Sequence, residues 1–311
     1  MYVALLASAL LAGALLAVQA SANLQLTKAI GTPYGASTVQ LGLAAGLLLA
    51  LSLATGATGA LRLVSDVPHW QLLGGLASPL YITSGILLFP KLGALAAVGL
   101  FVTGQMLASL GMDQLGLLGV ADQPLTVGVV LGAAAVLVGI TLIVGGQQST
   151  APRRQTAAWI GRAGWILLGV TAGAALPVQG AVNAQLRERI DQPVTVALVS
   201  FSVATLTIAV VLAALLYAHA TPTPTVRGVT GMPWWGWLGG GCAVVYVTAT
   251  FLLIPEIGAA TTVALTVTGQ QLASAVIDSR GLFRMPRRAL TSQRRTGLVL
   301  LIAGSALVQL T

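Results

Sequence analysis

Val178-Gln179-Gly180-Ala181-Val182-Asn183-Ala184-Gln185-Leu186 repeats Val18-Gln19-Ala20-Ser21-Ala22-Asn23-Leu24-Gln25-Leu26, which stands 160 positions earlier. A second stretch does the same. Thr103-Gly104-Gln105-Met106-Leu107-Ala108-Ser109, with Asp113 four residues on, returns 165 positions later as Thr268-Gly269-Gln270-Gln271-Leu272-Ala273-Ser274, followed by Asp278. Duplicated membrane halves are a common transporter build. The repeat therefore poses two questions: how many helices each half holds, and which way each half faces.

Working outward, composition fixes the solvent. Apolar residues make up 56% of the chain and charged residues 7%, against roughly 25% charged in a soluble domain. So few charges cannot cover a water-facing surface, and lipid is the expected surrounding. The single cysteine, Cys242, excludes a disulfide framework. The net charge of +8 does not indicate nucleic acid, because the basic residues sit in short loops between apolar runs, where they report membrane orientation. The start of the chain, an apolar run ending in Ala20-Ser21-Ala22, resembles a signal peptide. It lacks a basic leader, however, and its element recurs internally as Trp165 to Leu186, so it reads as a retained first helix.

A spanning helix needs about 20 mostly apolar residues. Ten stretches qualify: 2–24, 34–55, 70–89, 92–112 and 124–146 in the first half, then 162–186, 193–217, 235–254, 257–277 and 294–310 in the second. Pro33 and Pro193 suit the first turn of the second helix in each half. Pro90 and Pro255 mark tight connections between third and fourth helices, and Trp70 and Trp235 suit interfacial anchors. Five helices per half is an odd number. Each half ends on the opposite side from its start, so the second half enters upside down. The expected fold is all-α, with ten transmembrane helices arranged as two inverted five-helix repeats, 1–150 and 151–311, in one membrane unit.

Orientation follows from the basic residues. The side holding the N-terminus carries Arg62, Arg187 and Arg189. The other carries Lys28, Lys91, Arg153, Arg154, Arg162, Arg227, Arg280, Arg284, Arg287, Arg288, Arg294 and Arg295. The positive-inside rule then places both termini outside the cytoplasm, in an inner or plasma membrane.

The residues Pro177-Val178-Gln179-Gly180-Ala181-Val182-Asn183-Ala184-Gln185-Leu186 resemble the first-helix motif of the YdcZ-like proteins of the drug/metabolite transporter superfamily. Pro255-Glu256-Ile257-Gly258-Ala259-Ala260-Thr261, Gly269-Gln270-Gln271-Leu272-Ala273-Ser274 and Asp278 resemble that family's fourth-helix region. The first half departs at Ala17, where Pro177 has its counterpart. The resemblance implies five-helix units used as antiparallel pairs or fused ten-helix chains, acting as exporters of poorly defined substrates. It also implies a central cavity lined by helices one, three and four of each half, with the fifth helices apart. Here the fifth and tenth helices are almost purely aliphatic.

Within hydrocarbon, unpaired polar groups cost several kcal/mol, so the amides mark places to examine. Gln105 and Gln270 lie near mid-depth, where an in-plane two-fold axis brings equivalent points together. They are expected to face one substrate site with Thr103, Thr268 and Gln271. Gln19 and Asn23 lie near one face, Gln179 and Asn183 near the other, each pair four residues apart on one helix side. They are expected to line two separate vestibules. Tyr81 and Tyr246, equivalent and near mid-depth, suit a cavity for cationic or amphipathic solutes. All of these residue types also serve simply to pack helices.

No carboxylate lies at mid-depth. Glu256 is the best candidate for a titrating, coupling group. Asp113 and Asp278 read as helix ends near basic loops, Asp278 close to Arg280 and Arg284. The small multidrug-resistance pattern, with a first-helix glutamate, is not followed. No nucleotide-binding loop, nucleophile with a base, or metal cluster is visible, so no cofactor, metal or enzyme chemistry is expected. The reading is an exporter-type secondary transporter of a small polar or amphipathic organic solute, with proton or ion coupling and oligomeric state left open. The alternatives are an uncoupled channel or facilitator and a lipid-translocating protein.

Overall fold

The computed structural model describes residues 2–119, 126–146, 155–257 and 259–310, and among them there is no β-strand. The first half contains α1 (Tyr2–Ile30), α2 (Pro33–Ala54), α3 (His69–Leu72), α4 (Ala77–Leu92), α5 (Ala94–Leu115) and α6 (Val127–Gly145). The second contains α7 (Gln155–Ile190), α8 (Pro193–Tyr217), α9 (Leu238–Ile257), α10 (Ala259–Arg280) and α11 (Ser292–Leu310). Among the described residues, seven helical stretches are long and apolar enough to cross a membrane: 2–30, 33–54, 69–92, 94–112, 127–145, 163–190 and 193–217.

The helices follow the expected breaks; α8 keeps the expected bounds, α6 is shorter, and the first helix of each half runs longer. α1 continues past Leu24 to Ile30, and α7 starts before Arg162 and ends at Ile190. At 36 residues, α7 is about 54 Å long, well beyond a hydrocarbon core of about 30 Å, so it tilts or projects. Pro33 and Pro193 stand at the first turns of α2 and α8. Pro90 lies inside the last turn of α4 rather than in a connection, and the chain turns at Gly93, whose φ of 81° favours glycine. α3 and α4 are joined by a 3-10 turn, Leu73–Leu76. This is where Gly74 and Gly75 let neighbouring helices close in: a Cβ on Gly74 would overlap the Asn183 carboxamide, and one on Gly75 the Ser200 carbonyl.

The duplication extends to the backbone. Left-handed residues recur at matching positions: Gly31 with Asp191, Gly116 with Gly281, and Leu118 with Phe283. The close helix crossings recur as well. Gly13 of α1 abuts the Thr266 carbonyl of α10, and Gly173 of α7 abuts the Phe101 carbonyl of α5. Gly269 meets the Leu10 carbonyl, and Gly104 meets that of Val170. Each contact in one pair maps onto the other by the offsets of the sequence repeat. Such small-residue crossings supply van der Waals contact where lipid removes the hydrophobic drive between helices.

α6 and α11 use the same device in antiparallel. Gly132 packs on the carbonyl of Gly304 and Gly304 on that of Gly132, while Gly139 and Gly297 pair likewise. The main core runs through Phe89, Leu95, Phe101, Leu88 and Leu41, with Ile143 and Leu301 joining it from α6 and α11.

The turns fall at two ends. The Gly93 end gathers the α1–α2 turn, the α4–α5 turn and the 219–232 and 281–291 connections. There Thr225 N–H donates to the Ile30 carbonyl, and Arg288 Nη2 donates to the carbonyls of Pro90 and Lys91 at 3.1 and 3.3 Å. The Asp191 end gathers the 55–68 connection and the α7–α8 turn, where Val67, Leu186, Ile190 and Val196 form a small separate core.

Candidate functional site

A cavity of about 170 Å³ lies between the halves, toward the Asp191 end. Its wall takes both members of several equivalent pairs: Leu16 with Leu176, Gln19 with Gln179, Tyr81 with Tyr246, and Ile82 with Val247. Asn183, Ser200 and Phe201 complete it on that side. Asn183 and Ser200 each stand seven positions from the α7–α8 ends, about 10 Å in at 1.5 Å per residue.

The polar groups of this wall are tied to one another. Gln179 Nε2 donates to Ser78 Oγ at 2.8 Å and to Ser200 Oγ at 3.2 Å. Asn183 Nδ2 donates to Ser200 Oγ at 3.1 Å. Ser78 Oγ and Gln179 Oε1 are 3.1 Å apart. Tyr81 is fixed from behind: Gln270 Nε2 donates to its hydroxyl at 2.7 Å, and its ring packs on that of Phe101 at a tilt of 44° with centroids 4.6 Å apart.

The Gly93 side holds the counterpart set in a closed arrangement. Asn23 and Gln40 are almost fully buried and both press on Gly239. Gln40 Nε2 donates to the Gly239 carbonyl at 3.3 Å. Among the described residues, Gln19 Oε1, both polar atoms of Asn23 and Gln40 Oε1 have no hydrogen-bond partner. Nearby, the hydroxyls of Ser37 and Thr83 bond to each other at 3.0 Å.

Beyond these amides the Gly93 end is held by Asp278. Its carboxylate accepts from the N–H groups of Ala94 and Leu95, at 2.7 and 3.2 Å, capping the start of α5. Arg294 Nη2 of α11 donates to the same carboxylate at 2.8 Å, and both side chains are excluded from solvent. Arg288 N–H donates to the Asp278 carbonyl. One residue at the end of α10 thereby joins α5, α11 and the 281–291 connection. Lys91 sits 4.5 Å above the Trp165 ring, a cation–π contact that links α4 to α7.

Several sequence expectations fall elsewhere. Gln105, Gln270, Gln271, Thr103 and Thr268 do not line this cavity. The adjacent glycines explain this: Gly104 and Gly269 draw α5 and α10 onto the backbones of α7 and α1, so this stretch faces packed helices. Thr103 and Thr268 donate to carbonyls of their own helices, at Gly99 and Ala264. Gln271 is fully buried without a partner among the described residues. Gln270 reaches the cavity only through Tyr81.

The two vestibules were expected to be separate, yet Gln19 and Gln179 line one cavity. Leu16 of α1 and Leu176 of α7 line the same space. Asp278 pairs with Arg294 rather than with Arg280 or Arg284. Glu256 is exposed in the last turn of α9, away from the cavity. The Asp113 side chain, and Arg153 and Arg154, lie outside the described residues. The sequence reading missed Ser78, Ser200 and Gln40. Ser200 and Gln40 lie seven residues after the equivalent prolines, a signal that the repeat offset contains.

The motif residues that build this wall lie within two matched segments, 4–142 and 164–307, of the family described as "Putative inner membrane exporter, YdcZ". The chain belongs to the YdcZ family. YdcZ proteins are a class of membrane transporters, not an enzyme class, which gives this chain a multi-pass inner-membrane setting and a small-molecule substrate. A solved structure, titled only "Crystal structure of protein", aligns over 98% of this chain and 95% of its own at a TM-score of 0.54 and 19% identity, a likeness of fold. No curated protein matches the sequence.

Proposed function

We propose that this YdcZ protein is a ten-span secondary transporter, built of inverted units 1–150 and 151–311, that moves a small polar or amphipathic organic solute by alternating access. The observation that carries this is the cavity wall, which draws on equivalent residues of both halves. The recurring glycine crossings and left-handed turns support the internal two-fold. Five helices per unit then require inversion. The distribution of basic residues supports a cytoplasmic Gly93 end with both termini outside.

In this reading Tyr81 and Tyr246 flank the solute, Gln19, Gln179 and Asn183 bind its polar part, and Gln270 positions Tyr81. The volume limits the solute. A cavity of about 150 Å³ takes one benzene ring, so this one suits a solute of similar bulk. No charged side chain stands in the wall, which favours neutral solutes or cations held by aromatic faces. The same fact favours the second reading, an uncoupled facilitator.

The test is a thermal-shift screen of small metabolites and organic cations on purified protein, followed by uptake into vesicles of whatever binds. Saturable uptake that falls in Tyr246→Phe and Gln179→Ala supports the site. Accumulation against a gradient, collapsed by an uncoupler, supports a coupled transporter. Equilibration alone supports the facilitator. Wild-type uptake in both variants, with the fold intact, rejects the site.

A further inference from the structure

The two ends of the solute path differ at two equivalent positions. Gly75 packs on the carbonyl of Ser200, and Gly240 packs on the carbonyl of Gln40. Gln40 of α2 therefore occupies in the first half the place of Ser200 in the second. Likewise Ser78 occupies the place of Ala243. At the Asp191 end, Ser78 and Ser200 provide oxygens for Gln179 and Asn183. At the Gly93 end, Ala243 offers Gln19 no hydroxyl, and the longer Gln40 fills the space beside Asn23.

This leaves a buried cluster with Gln19 Oε1, Asn23 Oδ1, Asn23 Nδ2 and Gln40 Oε1 unpartnered among the described residues. The orientation of Gln40 is set by the Gly239 carbonyl, which accepts its Nε2 and turns Oε1 away. Unpaired buried polar atoms cost free energy in a site that holds nothing for them. Their equivalents at the other end line the cavity, so their chemistry is that of a solute wall. Three of the four free atoms are acceptors, so the complementary group is a donor.

Resting on the alternating-access reading above, we propose that Gln40 and Asn23, together with Gln19 at the border with the cavity, form a second solute half-site at the Gly93 end, and that it takes a head group that donates hydrogen bonds, such as an amine or a polyol. In the structure described, Asn23 and Gln40 are shut off, with Gln40 as the plug between α2 and Gly239, while Gln19 reaches the cavity wall. When the cavity closes at the Asp191 end and opens at the other, Gln40 leaves Gly239 and its amide meets the solute. The two ends then bind unequally, because at one the serine hydroxyls engage the amides and leave Asn183 Oδ1 as the free amide oxygen, while the other offers those of Gln19, Asn23 and Gln40.

The experiment uses the full chain in lipid vesicles with Cys242→Ser and one introduced cysteine, at Asn23, Gln40, Asn183 or Ser200, probed with a membrane-impermeant maleimide from each side. Asn183→Cys and Ser200→Cys are expected to label from the Asp191 side, and Asn23→Cys and Gln40→Cys hardly at all. Filling the open side with Ser200→Trp, or releasing the closed side with Asp278→Asn if the tryptophan variant does not fold, is expected to raise labelling of both Asn23→Cys and Gln40→Cys from the Gly93 side at least tenfold. A rise at Asn23→Cys without one at Gln40→Cys overturns the role of Gln40 while leaving alternating access standing. No rise at either position, in either background, overturns alternating access itself.

The head group is tested in the same backgrounds with native residues at 23 and 40. Ethanolamine and erythritol are expected to raise the Tm and butyrate to leave it unchanged, and Gln40→Leu is expected to abolish the rise. An equal shift with butyrate, no shift with either donor, or a shift that survives Gln40→Leu overturns the assignment.

Discussion

The Gly93 end and the Asp191 end are made from equivalent residues, and they sit in opposite conditions. At the Asp191 end Gln179 and Asn183 face a cavity and share Ser78 and Ser200 as partners. At the Gly93 end Asn23 and Gln40 are shut away with polar atoms unpaired. At the cavity end the amides of Gln179 and Asn183 leave only Asn183 Oδ1 unpaired among the described residues, whereas at the closed end both polar atoms of Asn23 and Gln40 Oε1 are unpaired. The closed end is held instead by a clasp outside the amide cluster, the Asp278 carboxylate on α5 and Arg294. On the alternating-access reading, closure rests on charge and capping at this end, and the amide layer is left ready for another partner.

The sharpest way to break this contrast is to remove the clasp. Asp278→Ala leaves Arg294 as a buried charge without its partner and strips the first turn of α5 of its acceptor. Breaking a buried pair this way costs about 3–5 kcal/mol, so a large fall in Tm in detergent is expected. Asp278→Asn keeps the shape and is expected to cost less while loosening the Gly93 end. If Asp278→Ala unfolds at the wild-type temperature, the clasp does not hold that end.

Next come the glycine crossings that both ends share. Gly173→Leu and Gly269→Leu force side chains onto the carbonyls of Phe101 and Leu10. Overpacking of this kind costs about 1–3 kcal/mol. Because the two crossings are equivalent, similar losses in Tm are expected. A harmless substitution at one of them would break the two-fold.

The tyrosines separate support from contact. Tyr81→Phe deprives the buried Gln270 of its partner, a loss of about 1–3 kcal/mol. Tyr246 lines the cavity, and among the described residues no buried amide rests on its hydroxyl. Tyr246→Phe is therefore expected to change solute affinity with less effect on Tm. The smallest effect is expected from Ser200→Ala, which removes one shared acceptor at the open end, at about 0.5–1.5 kcal/mol by thermal unfolding.

The repeat made much of the fold legible, because the residues it preserves are those that helix crossings constrain. Gly13 and Gly173, Gly104 and Gly269, Asn23 and Asn183 keep their places since their neighbours are backbone atoms that admit nothing larger. Depth along a helix was legible too, and it led to Tyr81 and Tyr246. Rotation about the helix axis was not. Depth alone put Gln105 and Gln270 at the centre, but the glycines beside them turn that stretch toward a packed neighbour. The Gly132–Gly139 spacing, repeated as Gly297–Gly304, was the readable sign that α6 and α11 embrace; aliphatic content alone concealed it. The partner of Asp278 was beyond reach, since Arg294 lies across a connection whose path the sequence does not specify.

That embrace bears on biosynthesis. α6 leaves the ribosome with a bare glycine face, and its mate α11 follows only after α7, α8, α9 and α10. At about 5–20 residues per second, roughly 7–30 s pass before the mate can follow. Throughout that interval the first half waits in the bilayer with an adhesive flank exposed to lipid and to every other nascent chain nearby. Joining the two halves in one polypeptide ensures that the complementary flank arrives beside it, in a one-to-one ratio and at high local concentration.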